Sequence, residues 1–157
     1  MTTPTCPSGR CRDGAVLLGV VGPEGAVGFV SPPMVVDDEF VRRARAADRP
    51  PEARFRFAEP CVEDACGHWT GDRCGVVDGV LGSRAGAATA EARVGLLPRC
   101  GIRRSCRWFA QRGAEACAVC PLVVHTRRVP AGGSDTEGEH RGRSTATPGP
   151  PGDTARR

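Results

Sequence analysis

The sequence predicts a small, irregular α+β fold in which cysteine side chains replace part of a hydrophobic core. The chain has 157 residues and nine cysteines, well above the usual share for a globular protein. Only 4% of its residues are aromatic, while 21 are glycine and 14 are proline, so the apolar core must be thin. Apolar runs beside turn residues indicate strands, and capping residues further along indicate helices. This length allows one domain, with or without a tail.

A β-hairpin is predicted near the amino terminus. Residues 1–14 show no periodic pattern and are expected to be an irregular lead. Two apolar runs, residues 15–21 and 26–30, flank a Gly-Pro-Glu-Gly turn cluster, as the two strands of a hairpin do. The prolines within residues 31–33 are expected to end the second strand.

A short helix and an edge strand are predicted next. Asp37 or Asp38 can cap a helix that continues to about Ala47, with acids in its first turn and arginines later. The Arg-Pro-Pro sequence at residues 49–51 stops this helix. Residues 54–57 alternate arginine and phenylalanine, which predicts a short strand at the edge of the sheet.

The region after residue 60 is rich in cysteine. Residues 79–97 are rich in alanine and glycine and are expected to form a loosely packed helix or a loop. A helix is predicted from residue 102 to residue 111, closed by Gly113 just after its end. Residues 122–124 are expected to return as a strand.

These patterns divide the chain into three parts. Residues 1–60 form the hairpin and helix segment, and residues 61–129 form the cysteine-rich core. From residue 130 to residue 157 the chain has almost no apolar residues, and this tail is expected to be disordered.

Seven of the nine cysteines fall into two groups. The first cysteine group is Cys61, Cys66 and Cys74; the second cysteine group is Cys100, Cys106, Cys117 and Cys120. A C-x2-C pair places two sulfurs on one side of a tight turn, and the cysteine before Pro121 resembles the end of a ferredoxin cluster motif. Tryptophan and glycine lie at similar places in both groups, which suggests an internal duplication.

The cellular compartment decides between metal ligands and disulfides. The first dozen residues are unlike a secretory signal, and no run approaches the ~20 apolar residues of a membrane helix. The absence of lysine and asparagine indicates a high-GC bacterial coding bias, so we expect a cytoplasmic bacterial protein with reduced thiols. Nine is also an odd number for a disulfide framework. Metal binding is therefore favoured over disulfides.

Charge favours the second cysteine group as the cluster site. Residues 99–112 contain five arginines and no acid, and nearby guanidinium groups stabilise thiolate ligands. We therefore expect these four cysteines to bind an iron–sulfur cluster, of the 4Fe-4S type, with zinc as the alternative. The first cysteine group lies in an acidic stretch and has three thiols, so its metal would need His68, one of Cys6 and Cys11, or no further protein ligand.

Two functions from different classes remain open. The first is a small iron–sulfur protein acting in electron transfer or as an accessory factor, docked on an acidic protein partner or redox enzyme through its arginines. The second is a zinc-structured module whose arginine-rich face contacts protein or, with weaker support, nucleic acid. A third reading, an enzyme using His68 or Glu63 at an open first site, has no supporting carboxylate–histidine spacing. We expect a protein that is not an enzyme on its own.

Overall fold

A four-stranded antiparallel sheet and four α-helices make up residues 3–124, the part of the chain that the computed structural model describes. The strands are β1 (Thr5–Gly9), β2 (Val16–Val21), β3 (Val27–Val35) and β4 (Phe55–Pro60), in the order β1-β4-β2-β3. The helices are α1 (Asp38–Arg45), α2 (Gly75–Gly82), α3 (Arg84–Arg93) and α4 (Arg107–Val119). The predicted α+β class is confirmed. The predicted tail, residues 130–157, lies outside the described residues.

The hairpin formed by β2 and β3 confirms the sequence prediction, but its second strand is longer than expected. Val21 pairs with Val27 across a turn in which Gly25 has a φ of +79°. The strand passes through the two prolines after Ser31, between two paired segments where the register shifts. The prediction that these prolines end the strand was wrong. Proline is tolerated there because β3 is an edge strand, and the bulge leaves local amides outside the ladder.

The other two strands differ from prediction because both faces of the sheet are covered. The N-terminal lead contains β1, and β4 is a central strand between β1 and β2, although the sequence predicted an edge strand. Phe57 faces one apolar cluster and Ala58 the opposite one, and neither is exposed to solvent. Alternation along β4 therefore separates two buried faces, and Arg56 lies on one of them.

Helix α1 forms as the sequence predicts and ends at Arg45, two residues earlier than expected. The Asp37 carboxylate accepts a hydrogen bond from the amide of Phe40 at 2.8 Å, which satisfies one free donor of the first turn. Val41 and Ala44 are buried against the face of the sheet that carries Phe57. The helix therefore covers one face and leaves the other to the cysteine-rich region.

Helices α2 and α4 cover that opposite face, and α3 packs against both of these helices. Residues 79–97, predicted as a helix or a loop, contain the second half of α2 and all of α3, and Ser83 between these helices caps α3 by accepting from the Gly86 amide at 3.0 Å. Helix α4 begins five residues later than predicted and contains a break at Gly113, with φ +56° and ψ −136°. No strand forms at residues 122–124, where a strand was predicted. Instead, a 3-10 turn at Cys120–Leu122, whose second residue is proline, follows the end of α4.

One apolar cluster joins the sheet to the cysteine-rich helices. Leu18 and Ala58 of the sheet pack with Val77 and Trp108, and Trp108 is 1% exposed. Several cysteines belong to the same cluster, so thiols do contribute to the core. None of the helices among residues 3–124 has the length and apolar character needed to cross a membrane.

Candidate metal centre

The second cysteine group surrounds a single pocket between the sheet and α4. All four thiol-bearing residues line it: Cys100, Cys106, Cys117 and Cys120. The pocket holds about 350 Å³ of space free of protein atoms, part of which is open to solvent, and about 20 Å³ admits the centre of a water molecule. The other lining residues are apolar, such as Leu18, Phe29 and Trp108, except for Arg103. The four cysteines therefore line one pocket, and their role as cluster ligands stays a prediction.

The break in α4 explains how distant cysteines reach the same pocket. Cys106 is the N-cap of α4, at the end of a 3-10 turn formed by Arg103–Ser105. Gly113 then takes a positive φ, which favours glycine, and redirects the last turns that carry Cys117 and Cys120. The sequence spacing of ten residues between Cys106 and Cys117 therefore spans two short helical segments rather than one straight helix.

The four thiols are close enough to affect one another electrostatically in all six pairs. Burial raises the pKa of Cys106, Cys117 and Cys120, the last to about 12. Two groups oppose this effect: backbone amides of Trp108 and Phe109 bond to the Cys106 sulfur, and the Arg103 guanidinium bonds to the Cys117 sulfur. Both favour the thiolate, the form that binds metal.

Two buried donors at this pocket have no hydrogen-bond partner among the described residues. They are Nε1 of Trp108 and Nε of Arg103, and both residues line the pocket. An unpaired buried donor costs about 1–3 kcal/mol, so such groups usually face an acceptor. The wall of the pocket is apolar, so these two nitrogens do not contribute to its surface. The groups at this pocket that fit an iron–sulfur cluster are therefore the four thiols.

Arg56 is a buried guanidinium that the sequence analysis missed. Its side chain is 3% exposed and donates to the carbonyl oxygens of Pro7 at 3.0 Å and Cys120 at 3.2 Å. It also interacts electrostatically with the thiols of Cys6 and Cys120, while burial lowers its pKa. Its centre lies 5.9 Å from the Trp108 ring. The sequence signal was the alternation within residues 54–57, which is compatible with two buried faces as well as with an edge strand.

Comparison of the chain with protein-family models, with curated proteins and with solved structures finds no match.

The first cysteine group lies beside the second, at the start of α2. Cys61 and Cys66 are half-buried, and Cys74, the N-cap of α2, is buried. Trp69 links two of them, since its amide donates to the Cys66 carbonyl at 2.9 Å and it forms a β-bridge with Cys74. The His68 side chain is exposed. Its role as a ligand stays a prediction.

The two N-terminal cysteines lie in different surroundings. The thiol of Cys6, on β1, interacts electrostatically with all three thiols of the first cysteine group, and burial raises its pKa to about 11. Cys11 is 1% exposed and packs on the other face of the sheet with Leu17 and Phe57. The structure therefore brings one of the pair to the cysteine-rich region and separates the other from it.

The acidic and basic stretches of the sequence pair with each other. Arg107 forms an ion pair with Glu63 and lies over the Trp69 ring at 4.9 Å. Arg112 pairs with Asp78 at 2.6 Å. Opposite charges that are separate in sequence are thus partly neutralised in the fold. Of the five arginines in residues 99–112, Arg103 lines the pocket. Two others are exposed and form no ion pair: Arg99 and Arg104.

Within residues 3–124, no three His, Cys, Asp or Glu side chains converge closely enough to hold one metal ion. The iron–sulfur cluster and its zinc alternative both stay predictions.

Proposed function

We propose that this chain is a small iron–sulfur protein that binds a 4Fe-4S cluster through Cys100, Cys106, Cys117 and Cys120. The observation that carries the proposal is the convergence of these four thiols on one apolar pocket whose single charged lining residue, among those described, is Arg103. Apolar walls exclude water, and a guanidinium offsets the negative charge of four thiolates. The cluster would supply one-electron chemistry when bound.

The surrounding residues have distinct roles in this proposal. Arg103 and the amides at the start of α4 hold the thiolate form of Cys117 and Cys106, respectively. Trp108 supplies part of the apolar wall of the pocket. Such buried apolar side chains would keep water away from a bound cluster and so slow its oxidative loss.

Electron transfer to or from a partner protein is the function this arrangement supports best, with action as an accessory factor to a partner enzyme as its close variant. Cys100 is half-buried, which places one edge of the pocket near the surface, and the exposed Arg99 precedes it directly. Arg104 is also exposed, on the 3-10 turn that follows Cys100. A short basic rim at this edge suits an acidic redox partner, because opposite charge steers docking.

The test is anaerobic purification of the full chain, with measurement of visible absorption, iron, acid-labile sulfide and zinc. We expect a brown protein with iron and sulfide in equal amounts. Cys106→Ser and Cys120→Ser should each remove about four iron atoms per chain. Cys11→Ala is the matched control, because Cys11 is equally buried but lies on the other face of the sheet.

Circular dichroism shows whether each variant remains folded, so that loss of iron can be separated from loss of structure. A colourless protein containing one or two zinc ions, without iron or sulfide, would refute the proposal and favour the zinc-structured module. Unchanged iron in a folded Cys106→Ser variant would refute the ligand assignment.

A further inference from the structure

A groove lies between α2, α3 and α4, apart from the pocket of the second cysteine group. It holds about 990 Å³ of space free of protein atoms, part of which is open to solvent. Helix α3 packs against both of the other helices, so all three contribute to the walls of the groove. Within residues 3–124, the groove and the cysteine pocket share no lining residue. The groove is therefore a separate feature of the fold.

One face of α3 forms the floor of the groove. Four of its residues line the groove, spaced i, i+3, i+4 and i+7 as on a single helix face: Ala87, Ala90, Glu91 and Val94. The two alanines have small side chains, which leave the space between the helices unfilled. Val94 is a larger apolar side chain that is 44% exposed to water. From Ala87 to Val94 the floor is about two helical turns, or ~10 Å, long.

The wall formed by α2 is tied to α4. Asp78, Leu81 and Gly82 line the groove with the spacing i, i+3 and i+4, so α2 also contributes one helix face. The Asp78 carboxylate pairs with Arg112 of α4 at 2.6 Å. Gln111, the residue before Arg112, holds the backbone at the start of α2 through two hydrogen bonds, at 2.9 and 3.0 Å. These links fix the two helices relative to each other, so the groove is preformed.

The lining of the groove is negative by two charges, because it contains three carboxylates and one guanidinium. Asp78 engages that guanidinium, which belongs to Arg112. In the described part of the chain, neither Glu91 of α3 nor Glu115 of α4 takes part in an ion pair. The two arginines of α3 itself are not among the lining residues. Two unpaired carboxylates beside an apolar floor favour a ligand that is both cationic and apolar.

We propose that this groove binds a basic amphipathic helix of a partner protein, with its apolar side chains on α3 and its arginine or lysine side chains beside Glu91 and Glu115. Two turns of a helix with its side chains occupy ~900 Å³, which matches the free space. Small residues at the floor, Ala87 and Ala90, allow helix axes to approach to ~8–10 Å. A helix that lays an apolar face into a groove is a common mode of peptide recognition.

This surface differs from the basic rim at Arg99 and Arg104 in the sign of its charge. An acidic partner surface suits the rim, whereas a basic segment suits the groove. Binding in the groove does not require a cluster, because the cysteine pocket is lined by other residues. The docking proposal therefore stands independently of the proposed function.

The test measures binding of a synthetic peptide to the full-length chain by fluorescence anisotropy. The probe is a labelled peptide of about 14 residues, long enough to form a helix, made of alanine, leucine and arginine so that the leucines share one face. A comparison peptide has glutamate in place of arginine. We expect the arginine peptide to bind and to gain helical circular dichroism, and the glutamate peptide to do neither. Added salt should weaken binding, because the carboxylates are exposed.

A change at the floor locates the bound peptide. Ala87→Trp should weaken binding of the arginine peptide by about tenfold or more, because the indole fills the space above α3. Ala88→Trp is the matched control, since Ala88 is the next exposed alanine of α3 and does not line the groove. Circular dichroism of each variant shows that it remains folded. Equal affinity of the two variants for the arginine peptide would overturn the proposal.

Charge variants decide the question separately from the tryptophan variants. The double variant Glu91→Gln and Glu115→Gln should weaken binding about fivefold, because each exposed ion pair contributes modestly. The control removes two exposed carboxylates elsewhere, in Asp13→Asn with Glu24→Gln, and should leave the affinity unchanged. No binding of the arginine peptide to wild type, or equal weakening in both double variants, would overturn the proposal.

Sedimentation equilibrium tests whether a second copy of the chain is the occupant instead. A dimer that Ala87→Trp abolishes and Ala88→Trp retains would assign the groove to self-association and overturn the partner assignment. Binding of the arginine peptide without any gain of helical signal would overturn the helical form of the occupant. A monomeric wild type that binds the arginine peptide as a helix supports the proposal.

Discussion

Replacement of Arg56 by methionine should destabilise the fold by about 2–4 kcal/mol, because the guanidinium satisfies two buried carbonyl oxygens. Each hydrogen bond from a charged donor contributes ~1.5–3 kcal/mol, and a carbonyl left without a donor costs ~1–3 kcal/mol. The gain from no longer burying a charge offsets part of the loss. The two bonds, to Pro7 at 3.0 Å and Cys120 at 3.2 Å, are both buried. For a unit of this size the change lowers the unfolding midpoint by about 10 °C.

Urea unfolding of the full-length chain under reducing conditions, followed by tryptophan fluorescence, measures this loss. Trp108 is a suitable reporter, since it is 1% exposed and Arg56 lies over its ring. Arg56→Lys should lose about half as much free energy of unfolding, because an ammonium group is a point charge that reaches one carbonyl more readily than two. Arg104→Met, at an exposed position, is the control and should change stability by less than ~0.5 kcal/mol. A loss below ~1 kcal/mol in Arg56→Met would refute the reasoning.

Three further predictions concern the helices and the ninth cysteine. Gly113→Ala should lower the free energy of unfolding in urea by ~1–3 kcal/mol, because φ at this residue is +56°. Gly79→Ala, inside α2 with open space around it, should instead raise it by ~0.5–1 kcal/mol. Equal effects of the two substitutions would contradict the argument from backbone conformation. Gln111→Ala removes both bonds to the Cys74 backbone and should cost ~2 kcal/mol in urea unfolding, and an unchanged free energy of unfolding would show that these bonds are dispensable. Cys11→Ala should cost ~1–2 kcal/mol while metal content stays constant, and any loss of metal would place Cys11 among the ligands.

Local signals predicted the elements whose cause lies within a few residues. The Asp37 cap of α1 and the turn between β2 and β3 follow from capping and turn chemistry. Gly113 was predicted to close a helix, and its positive φ instead breaks a helix that continues to Val119. The clustering of Cys106 and Cys117 at one pocket also follows from their spacing once a turn is allowed between them. In each case the interacting groups are close in sequence, so composition and order carry the information.

The strands that the sequence analysis predicted wrongly are those whose placement depends on the rest of the sheet and on the helices that cover it. The alternation in residues 54–57 indicated a strand, but an edge strand with solvent on one side and a central strand covered by helices have the same period. The two prolines of β3 indicated the end of a strand, yet an edge strand tolerates proline where its register shifts. Strand order and layer coverage are long-range properties, and no local pattern specifies them.

The sequence by itself determined the α+β class, the position of the hairpin and the two cysteine groups. Only the tertiary structure decided which residues, distant in sequence, lie beside these elements. It placed Cys6 beside Cys61 through strand pairing across more than fifty positions, and it buried Arg56 against the carbonyls of Pro7 and Cys120. It also paired the acidic stretch with the basic one through Arg107 and Glu63. These contacts arise from sheet register and helix packing, whose free energy depends on buried area and satisfied polar groups across the whole core, and so they leave no signature in neighbouring residues.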